Sequence, residues 1–389
     1  MGQLHSFPSM PGAGTLVGGK YLLLQKLSEG GSGVVWNAKD PDGKLVALKF
    51  LKWSPLKSKQ DTANHFKREF GILKSLSHPH IGNIYDFGID NDSALYFFTT
   101  ELFTNGDLRK LKDAPIASIE RALLQTLRAL EYLRNQGLLH LDLKPQNILV
   151  RKLGKNPDVA LIDFGLATFR PSDRPGGTPN YMPPEVIVRR LPDVSPQKFW
   201  PAPDHRSDLY SLGITFYYLL TGVLPFQQKT EIGAIDSKAT MRAHFNVTPP
   251  PPSQIRPEIP AYLDRIILKL MAHHPDDRYP TASVAAQAIQ FRSPRRHSPE
   301  TRETLLAYLP KEGKLIGRHA EQTLADNLLS SVAEGKPHAP PLLIILGKHG
   351  TGKSRFLSSL KPHAQQLEME VTLLNAADEH HVSHIDHLL

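Results

Sequence analysis

Three residues in one short stretch could handle phosphate and metal charge together: Asp142, Lys144 and Asn147, within Leu138-Leu139-His140-Leu141-Asp142-Leu143-Lys144-Pro145-Gln146-Asn147-Ile148-Leu149-Val150. A carboxylate can orient a hydroxyl, an ammonium can neutralise a phosphoryl group, and an amide oxygen can ligate a divalent cation. The three must sit on a loop, because Pro145 forbids a helix and disfavours helical geometry just before it. That loop runs into an apolar strand, and a second short strand, Val159-Ala160-Leu161-Ile162, ends in Asp163 ahead of Phe164-Gly165. The pattern reads as a hairpin that delivers two acids to one point, one to orient a hydroxyl and one to hold a divalent cation.

These motifs resemble the catalytic loop and metal-binding turn of the eukaryotic-type (bacterial-like) Ser/Thr protein kinases. The resemblance implies ATP- and Mg2+-dependent phosphoryl transfer to a Ser or Thr hydroxyl of a protein substrate, with positioning and charge neutralisation supplying most of the rate. By that likeness Asp142 orients the hydroxyl and receives its proton late, Lys144 neutralises the transferring group, and Asn147 and Asp163 hold the metal. Where the family usually has Arg between the His and the Asp, this chain has Leu141. Leucine cannot make charge-assisted hydrogen bonds to a phosphate, so activity is expected not to require phosphorylation of Thr168 or Ser172.

The elements that must position these residues can be read along the chain. Its 389 residues, 40% of them hydrophobic, provide for more than one domain and an ample core. The formal charge of +8 would suit nucleic acid, but Lys and Arg are interleaved with acids, so nucleotide phosphates account for it and no nucleic-acid partner is expected. The lack of cysteine excludes disulfides, thiolate metal sites and cysteine nucleophiles, and a cytoplasmic location is expected. Met1 to Lys20 does not resemble a signal peptide. The apolar run Leu209 to Phe226 is broken by Ser211, Gly213, Thr215, Thr221, Gly222 and Pro225, which suits a buried core helix and not a membrane span.

Residues 1–18 read as a flexible lead. Strands Tyr21-Leu22-Leu23-Leu24 and Val34-Val35-Trp36 flank Ser28-Glu29-Gly30-Gly31-Ser32-Gly33, and glycines let a backbone approach phosphate oxygens. Alone this is also a plain hairpin turn. The strand Leu45-Val46-Ala47-Leu48-Lys49 then supplies a lysine which, by resemblance, grips the α and β phosphates. Ser28 replaces the first glycine of the family's loop, with Gly30 and Gly33 retained. Val35 and Ala47 join the nucleotide-binding set by the same likeness. A helical period from Ala63 to Leu76 carries Glu69, either the partner of Lys49 or a solvated surface acid, and Leu73 one turn on. Two further β-rich runs, around Tyr85 and Phe97, complete an expected five-stranded antiparallel lobe. Thr99-Thr100-Glu101-Leu102-Phe103 resembles the hinge, implying that Thr100 guards the adenine pocket, that the backbones of Glu101 and Phe103 bind adenine, and that Asp107 lies near the ribose; Leu149 completes the nucleotide set.

Ile116 to Gln136 has helical spacing and ends at Gly137, a suitable C-terminal cap. Gly177-Thr178-Pro179-Asn180-Tyr181-Met182-Pro183-Pro184-Glu185 resembles the family's substrate-docking segment, with Thr178 the mark of Ser/Thr specificity. Asp208, at the head of the central helix, is expected to accept hydrogen bonds from the catalytic-loop backbone, and Arg278 to pair with Glu185. Leu191 to Pro203 is a Pro-rich loop longer than the family needs.

Residues 293–314 form a polar, basic, Pro-containing linker. Beyond it, the apolar run Pro341 to Leu346 enters Gly347-Lys348-His349-Gly350-Thr351-Gly352-Lys353-Ser354, a phosphate-binding P-loop in strand-loop-helix context. Gly347, Gly352, Lys353 and Ser354 are its candidate nucleotide residues, against a chance match. Leu315-Ile316-Gly317-Arg318 and Glu321 resemble the lead-in of signal-transduction AAA-related ATPases. The span after Ser354 is too short for a complete ATPase, so a fragment of a larger fusion or a truncated gene product is expected. His380, His384 and His387 could share a helical face for metal, or simply end a solvated helix.

The expected fold is α+β: a bilobal protein kinase fold over 19–292, with a five-stranded N-lobe (19–102) and a mainly helical C-lobe (103–292), then an incomplete α/β P-loop segment at 315–389. The expected function is a Ser/Thr protein kinase in signalling, its output coupled to a C-terminal ATPase module through which the chain could oligomerise. The alternative is a nucleotide-binding scaffold with weak kinase activity and ATPase-driven assembly as its main output.

Overall fold

The computed structural model describes residues 10–30, 33–51, 76–90, 92, 93, 95–163, 177–191, 193, 200–295, 304, 318–335, 356, 357, 360, 364, 367 and 369. These fall into two compact units, one drawn from 1–71, 85–99 and 311–389, the other from 72–84 and 100–310. The helix expected around Glu69 and Leu73, the residues Phe164, Thr168 and Ser172, the whole P-loop with Gly347, Gly352, Lys353 and Ser354, and the terminal histidines lie outside the described residues.

The first unit carries a sheet of six strands, β1 (Leu16–Val17), β2 (Tyr21–Gly30), β3 (Gly33–Lys39), β4 (Leu45–Leu51), β5 (Ile84–Asp90) and β6 (Leu95–Thr100), in the order β1-β2-β3-β4-β6-β5. Five strands were expected. The sixth is β1, inside the stretch read as a flexible lead: Leu16 pairs with Leu22 and Val17 with Tyr21. Val17 is wholly buried, and Gly18 donates its N–H to Asp90. A two-residue strand has too little periodicity to register in a sequence reading; burial of one valine and a side-chain bond from β5 fix it.

Alternation along β3 and β4 sorts two faces. Val34, Trp36 and Ala38 with Val46, Leu48 and Phe50 enter a core shared with Tyr21, Leu23 and Phe97. Val35, Ala47 and Lys49 therefore occupy the opposite face, with Val35 directly across from Lys49. Asp86 collects the hydroxyl of Tyr21 at 3.0 Å and the ammonium of Lys20 at 2.7 Å, tying β2 to β5. Also assigned to this unit, α7 (His319–Ala333) packs Ala325 and Leu329 against Phe356 and Leu360.

The second unit is mainly helical. Its longer helices are α1 (Ile116–Asn135), α2 (Pro184–Arg190), α3 (His205–Thr221), α4 (Ser237–Asn246), α5 (Ala261–Leu270) and α6 (Ala282–Arg292), and its hairpin joins β7 (Ile148–Lys152) to β8 (Asp158–Leu161). As the sequence implies, α1 stops at Gly137, whose φ of 72° lets Leu138 N–H return to Leu133 C=O at 2.9 Å. The run read as a buried core helix is α3, buried almost throughout between Asp204 as N-cap and Gly222 at φ 77°. No helix among the described residues is long and apolar enough to cross a membrane. The expected pair of Glu185 and Arg278 is present, bidentate at 2.7 and 2.8 Å, with both side chains out of water.

The longer, Pro-rich connection between α2 and α3 is anchored where it is described. Trp200 stacks its edge on Phe245, and Arg242 pairs with Asp193. The start of the expected linker is also held: Arg295 reaches the buried carboxylate of Glu120 at 3.1 Å, which also accepts from Tyr262.

Helix α3 passes its neighbours closely at Gly213, where an added Cβ would lie 2.7 Å from Met271 Cγ and 2.9 Å from Leu270 Cβ. In an open helix Gly→Ala stabilises by about 1 kcal/mol, but overpacking a filled core costs about 1–3 kcal/mol. Gly213→Ala is therefore expected to lower stability despite its better helix propensity. The check is the urea midpoint, and a rise would show that this contact yields.

Candidate functional site

The loop that bears Asp142 is shaped from below by α3. Asp208 sits in the first turn of that helix, where a carboxylate suits the dipole, and its two oxygens accept the consecutive N–H groups of His140 and Leu141, both at 2.8 Å. Leu141 is thereby held at φ 62°, a left-handed conformation costly for a leucine. Burial pushes the Asp208 carboxyl up, against the pull of His140 and the two amides. This is the backbone role expected for Asp208.

His140 ties the two strand ends together. The Ile162 carbonyl can only accept, so the His140 Nε2 at 3.1 Å carries the proton, and Nδ1 accepts the N–H of Asp142 at 3.3 Å. Ile162 N–H in turn donates to Asn147 C=O at 2.8 Å. One imidazole and one backbone bond thus link Asp142, Asn147 and the residue before Asp163, as the hairpin reading requires. Asp163 has φ 61°. Among the described residues, Leu141 and Asp163 alone combine a side chain with positive φ.

The Asp142 carboxylate is surrounded by donors. Lys144 Nζ lies 2.6 Å from Oδ2, Thr178 donates its hydroxyl at 2.9 Å and its N–H at 3.2 Å to Oδ1, and Asn147 Nδ2 reaches Oδ2 at 3.2 Å and the Asp142 carbonyl at 2.8 Å. Lys144 also donates to Thr178 Oγ1 at 3.0 Å. The Asp142 contact of Thr178 is tertiary information: the sequence offers Thr178 as a specificity mark, but its nearness to Asp142 depends on Gly177, whose φ of 129° turns the chain beside the Leu141 carbonyl.

The metal expectation can be tested on the donors. The Asn147 amide nitrogen is spent on Asp142, which leaves its carbonyl oxygen Oδ1 as the atom to offer a cation. Paired with the Asp163 carboxylate this is an all-oxygen set, of the hard kind that suits Mg2+. Among the described residues no group of three or more His, Cys, Asp or Glu could hold a metal ion, so these two would leave most of the coordination to water and phosphate oxygens.

The expected nucleotide residues divide between the units. In the first, Gly30 and Gly33 face each other across the β2–β3 turn, Ser28 pairs with Val35, and the Lys49 ammonium lies 5.8 Å from the Phe98 ring centre. Glu69, its expected partner, is outside the described residues. In the second, Thr100 ends β6, its hydroxyl 3.4 Å from the Glu101 carbonyl. The Glu101 N–H is taken by Asn83 C=O at 2.9 Å, so its carbonyl is what it can offer a base. Phe103 carries the Arg151 guanidinium 5.5 Å above its ring. Leu149 bridges to Asp107, whose carboxylate holds the Arg109 guanidinium at 2.6–2.9 Å and caps the following turn; a ribose hydroxyl there would share an occupied carboxylate.

Arg151, which no sequence motif marks, organises the Glu101 segment. It grips Glu101 at 2.6 and 2.9 Å, donates to the carbonyls of Pro79 and Ile81, and faces Asp158 at 3.8 Å. Glu101 also receives the Asn83 amide at 3.2 Å. The forked guanidinium alone can serve a carboxylate and two carbonyls at once.

The protein kinase domain model matches residues 21–290. Serine/threonine-protein kinase pkn3 of Myxococcus xanthus is 33% identical over 295 residues, covering 71% of this chain and 50% of that protein. Serine/threonine-protein kinase Pkn1 of the same organism is 31% identical over 338 residues, covering 81% and 46%. The chain thus spans about half the length of the curated relatives it matches. The crystal structure of the Mycobacterium tuberculosis PknI kinase domain shares the fold, with a TM-score of 0.54 at 22% identity over 73% of this chain and 100% of that one.

The Arg151 cluster is expected to be worth several charge-assisted bonds. Arg151→Ala should lower unfolding free energy by about 2–4 kcal/mol, since it strands a carboxylate and two carbonyls. Arg151→Lys should recover less than half, because one ammonium cannot span the set. Urea titration of the three proteins checks both, and a fully restored lysine variant would mean that charge alone suffices.

Proposed function

This chain belongs to the protein kinase domain family, and on that premise we propose that it is a Ser/Thr protein kinase that transfers the γ-phosphoryl group of ATP to a protein hydroxyl. The observation that carries the reading is the Asp142 carboxylate, held between Lys144, Thr178 and Asn147 on a loop fixed by Asp208. Asp142 orients the acceptor hydroxyl, which displaces that of Thr178, and takes its proton once the bond to phosphorus is largely made. Lys144 neutralises the equatorial oxygens of the transferring group. The chemistry that Mg2+ would supply there when bound is neutralisation of phosphate charge. Asn147 Oδ1 and Asp163 would hold the ion.

Ser28, Gly30, Gly33, Val35 and Ala47 are assigned to the nucleotide, with Lys49, braced by Glu69, on its phosphates. Thr100, the Glu101 carbonyl, Phe103, Asp107 and Leu149 complete that set. The kinase domain runs over 19–292, N-lobe 19–102 and C-lobe 103–292, and the lead at 1–18 adds its strand β1 to the N-lobe sheet. A linker at 293–314 joins it to part of a P-loop ATPase at 315–389, where Gly347, Gly352, Lys353 and Ser354 would take a second nucleotide. Coupling of kinase output to that module, and oligomerisation through it, belong to the same proposal. ATP-dependent transfer needs a compartment that holds ATP, so a cytoplasmic location goes with it.

Label transfer from γ-labelled ATP tests the reading. Asp142→Asn, which keeps the shape but removes the base and its negative charge, is expected to cut transfer by about 10³-fold or more, while Lys353→Ala leaves it in place. Equal labelling by wild type and Asp142→Asn would sink the kinase reading, and loss only in Lys353→Ala would favour the ATPase-driven scaffold.

Leu141 generates a second expectation. Its side chain is apolar and buried, so it offers no partner to a phosphorylated activation segment. Thr168→Ala with Ser172→Ala should keep turnover within about threefold of wild type, whereas a phosphate-dependent switch would cost about a hundredfold. Turnover of dephosphorylated wild type beside the double variant distinguishes the two.

A further inference from the structure

Helix α4 carries a histidine that the reaction as described does not use. His244 is wholly buried, yet both ring nitrogens are bonded: Nδ1 lies 2.8 Å from the Tyr210 hydroxyl on α3, and Nε2 lies 3.0 Å from the carbonyl of Pro179. The proton can be placed. A carbonyl only accepts, so Nε2 must donate, and a neutral imidazole then presents a lone pair at Nδ1 to receive the tyrosine hydroxyl. Burial holds the His244 pKa down to about 3, so the ring stays neutral and keeps this single arrangement at any working pH. Phe226 packs on it with ring centres 4.4 Å apart.

Both ends of this bridge matter. Tyr210 has the Arg278 guanidinium 4.7 Å above its ring, and Arg278 is the buried partner of Glu185 at the end of the docking segment. Pro179 is the next residue after Thr178, whose hydroxyl and N–H both touch Asp142. Met241, one turn before His244, and Phe245, the residue after it, join Met182, Val186 and Ile187 in an apolar cluster under the same segment. Pro179 has no N–H of its own, and its φ is fixed by its ring, so the carbonyl is the handle by which the backbone there can be aimed.

We propose that His244 is a positioning residue for the protein substrate: by donating to Pro179 from a ring anchored on Tyr210, it sets where Thr178 and the following segment stand relative to Asp142. The role is separate from nucleotide binding and rests on the reading of Asp142 as the residue that orients the acceptor hydroxyl. A His244 that merely filled the core would be replaceable by an apolar side chain of similar volume. A positioning His244 would not, but a side chain that restored the donor would recover it.

The test is steady-state label transfer from ATP by the full chain, with dephosphorylated casein as acceptor or, should casein stay unlabelled, the Asp142→Asn copy of the chain. His244→Leu is expected to raise the acceptor KM by about tenfold with the KM for ATP within about twofold. His244→Gln, whose amide can still donate to Pro179, should return the acceptor KM to within about threefold of wild type, and Tyr210→Phe, which frees the ring from its anchor, should raise it by about threefold. An unmoved acceptor KM in His244→Leu, a glutamine variant as impaired as leucine, or parallel loss for ATP and acceptor would each overturn the assignment. If His244→Leu shows no cooperative melting, the other two variants decide, and an unchanged acceptor KM in Tyr210→Phe overturns it. A wild type that labels neither acceptor overturns the kinase reading and this inference with it; normal wild-type transfer with all three variants unmoved overturns this inference alone.

Discussion

Everything at the candidate site depends on one buried carboxylate pointing at two consecutive backbone amides. Asp208 spends both oxygens on His140 and Leu141, and in doing so stabilises a leucine in a region of backbone space that costs about 1–3 kcal/mol. The reversal at Leu141 allows the next residue, Asp142, to leave the core and meet Lys144, Asn147 and Thr178. Burying a carboxylate is unfavourable unless its lone pairs are met. Here the amides that meet them would themselves be short of partners, so each side makes the other tolerable, and the loop has one geometry.

A second buried frame fixes the segment 177–185. Glu185 and Arg278 are paired away from water, and Glu185 also accepts the Ser207 hydroxyl at 2.6 Å. Pairs of this kind add little net stability, because desolvation consumes most of the Coulomb gain. Their effect is geometric: Arg278 joins the end of that segment to α3 and lies over Tyr210, while Ser211 on the same helix donates to the Tyr181 carbonyl at 2.7 Å. Helix α3 therefore serves two masters, Asp208 for the loop and Tyr210 with Ser211 for the segment, and its close packing at Gly213 keeps both in register.

In the first unit the ordering principle is simpler. Strict alternation places the bulky residues of β3 and β4 in one core and leaves Val35, Ala47 and Lys49 on the other face. A one-residue slip would send Lys49 into the core, so the same burial that stabilises the sheet also decides what its other face presents. The stitch from Asp86 to Lys20 and Tyr21 closes the sheet on the side of β5.

The sequence by itself determined a great deal here. Asp142, Lys144, Asn147 and Asp163 stand out by type and spacing as candidates, α1 ends where Gly137 says it must, and the Asp208 and Arg278 contacts are implied by the resemblance of their motifs to the kinase family. These are local signals, or signals carried by residues with few alternative uses. Tertiary structure alone decided the rest. Strand β1 exists because Val17 finds a core, not because two residues have a period. Arg151 and His244 look like ordinary residues of a strand and a helix; their partners, Glu101 with Pro79 and Ile81 for one, Tyr210 and Pro179 for the other, stand tens of residues away in sequence. Hydrogen bonds between distant side chains and backbone carbonyls leave no periodic trace, so they become visible only when the chain has closed on itself.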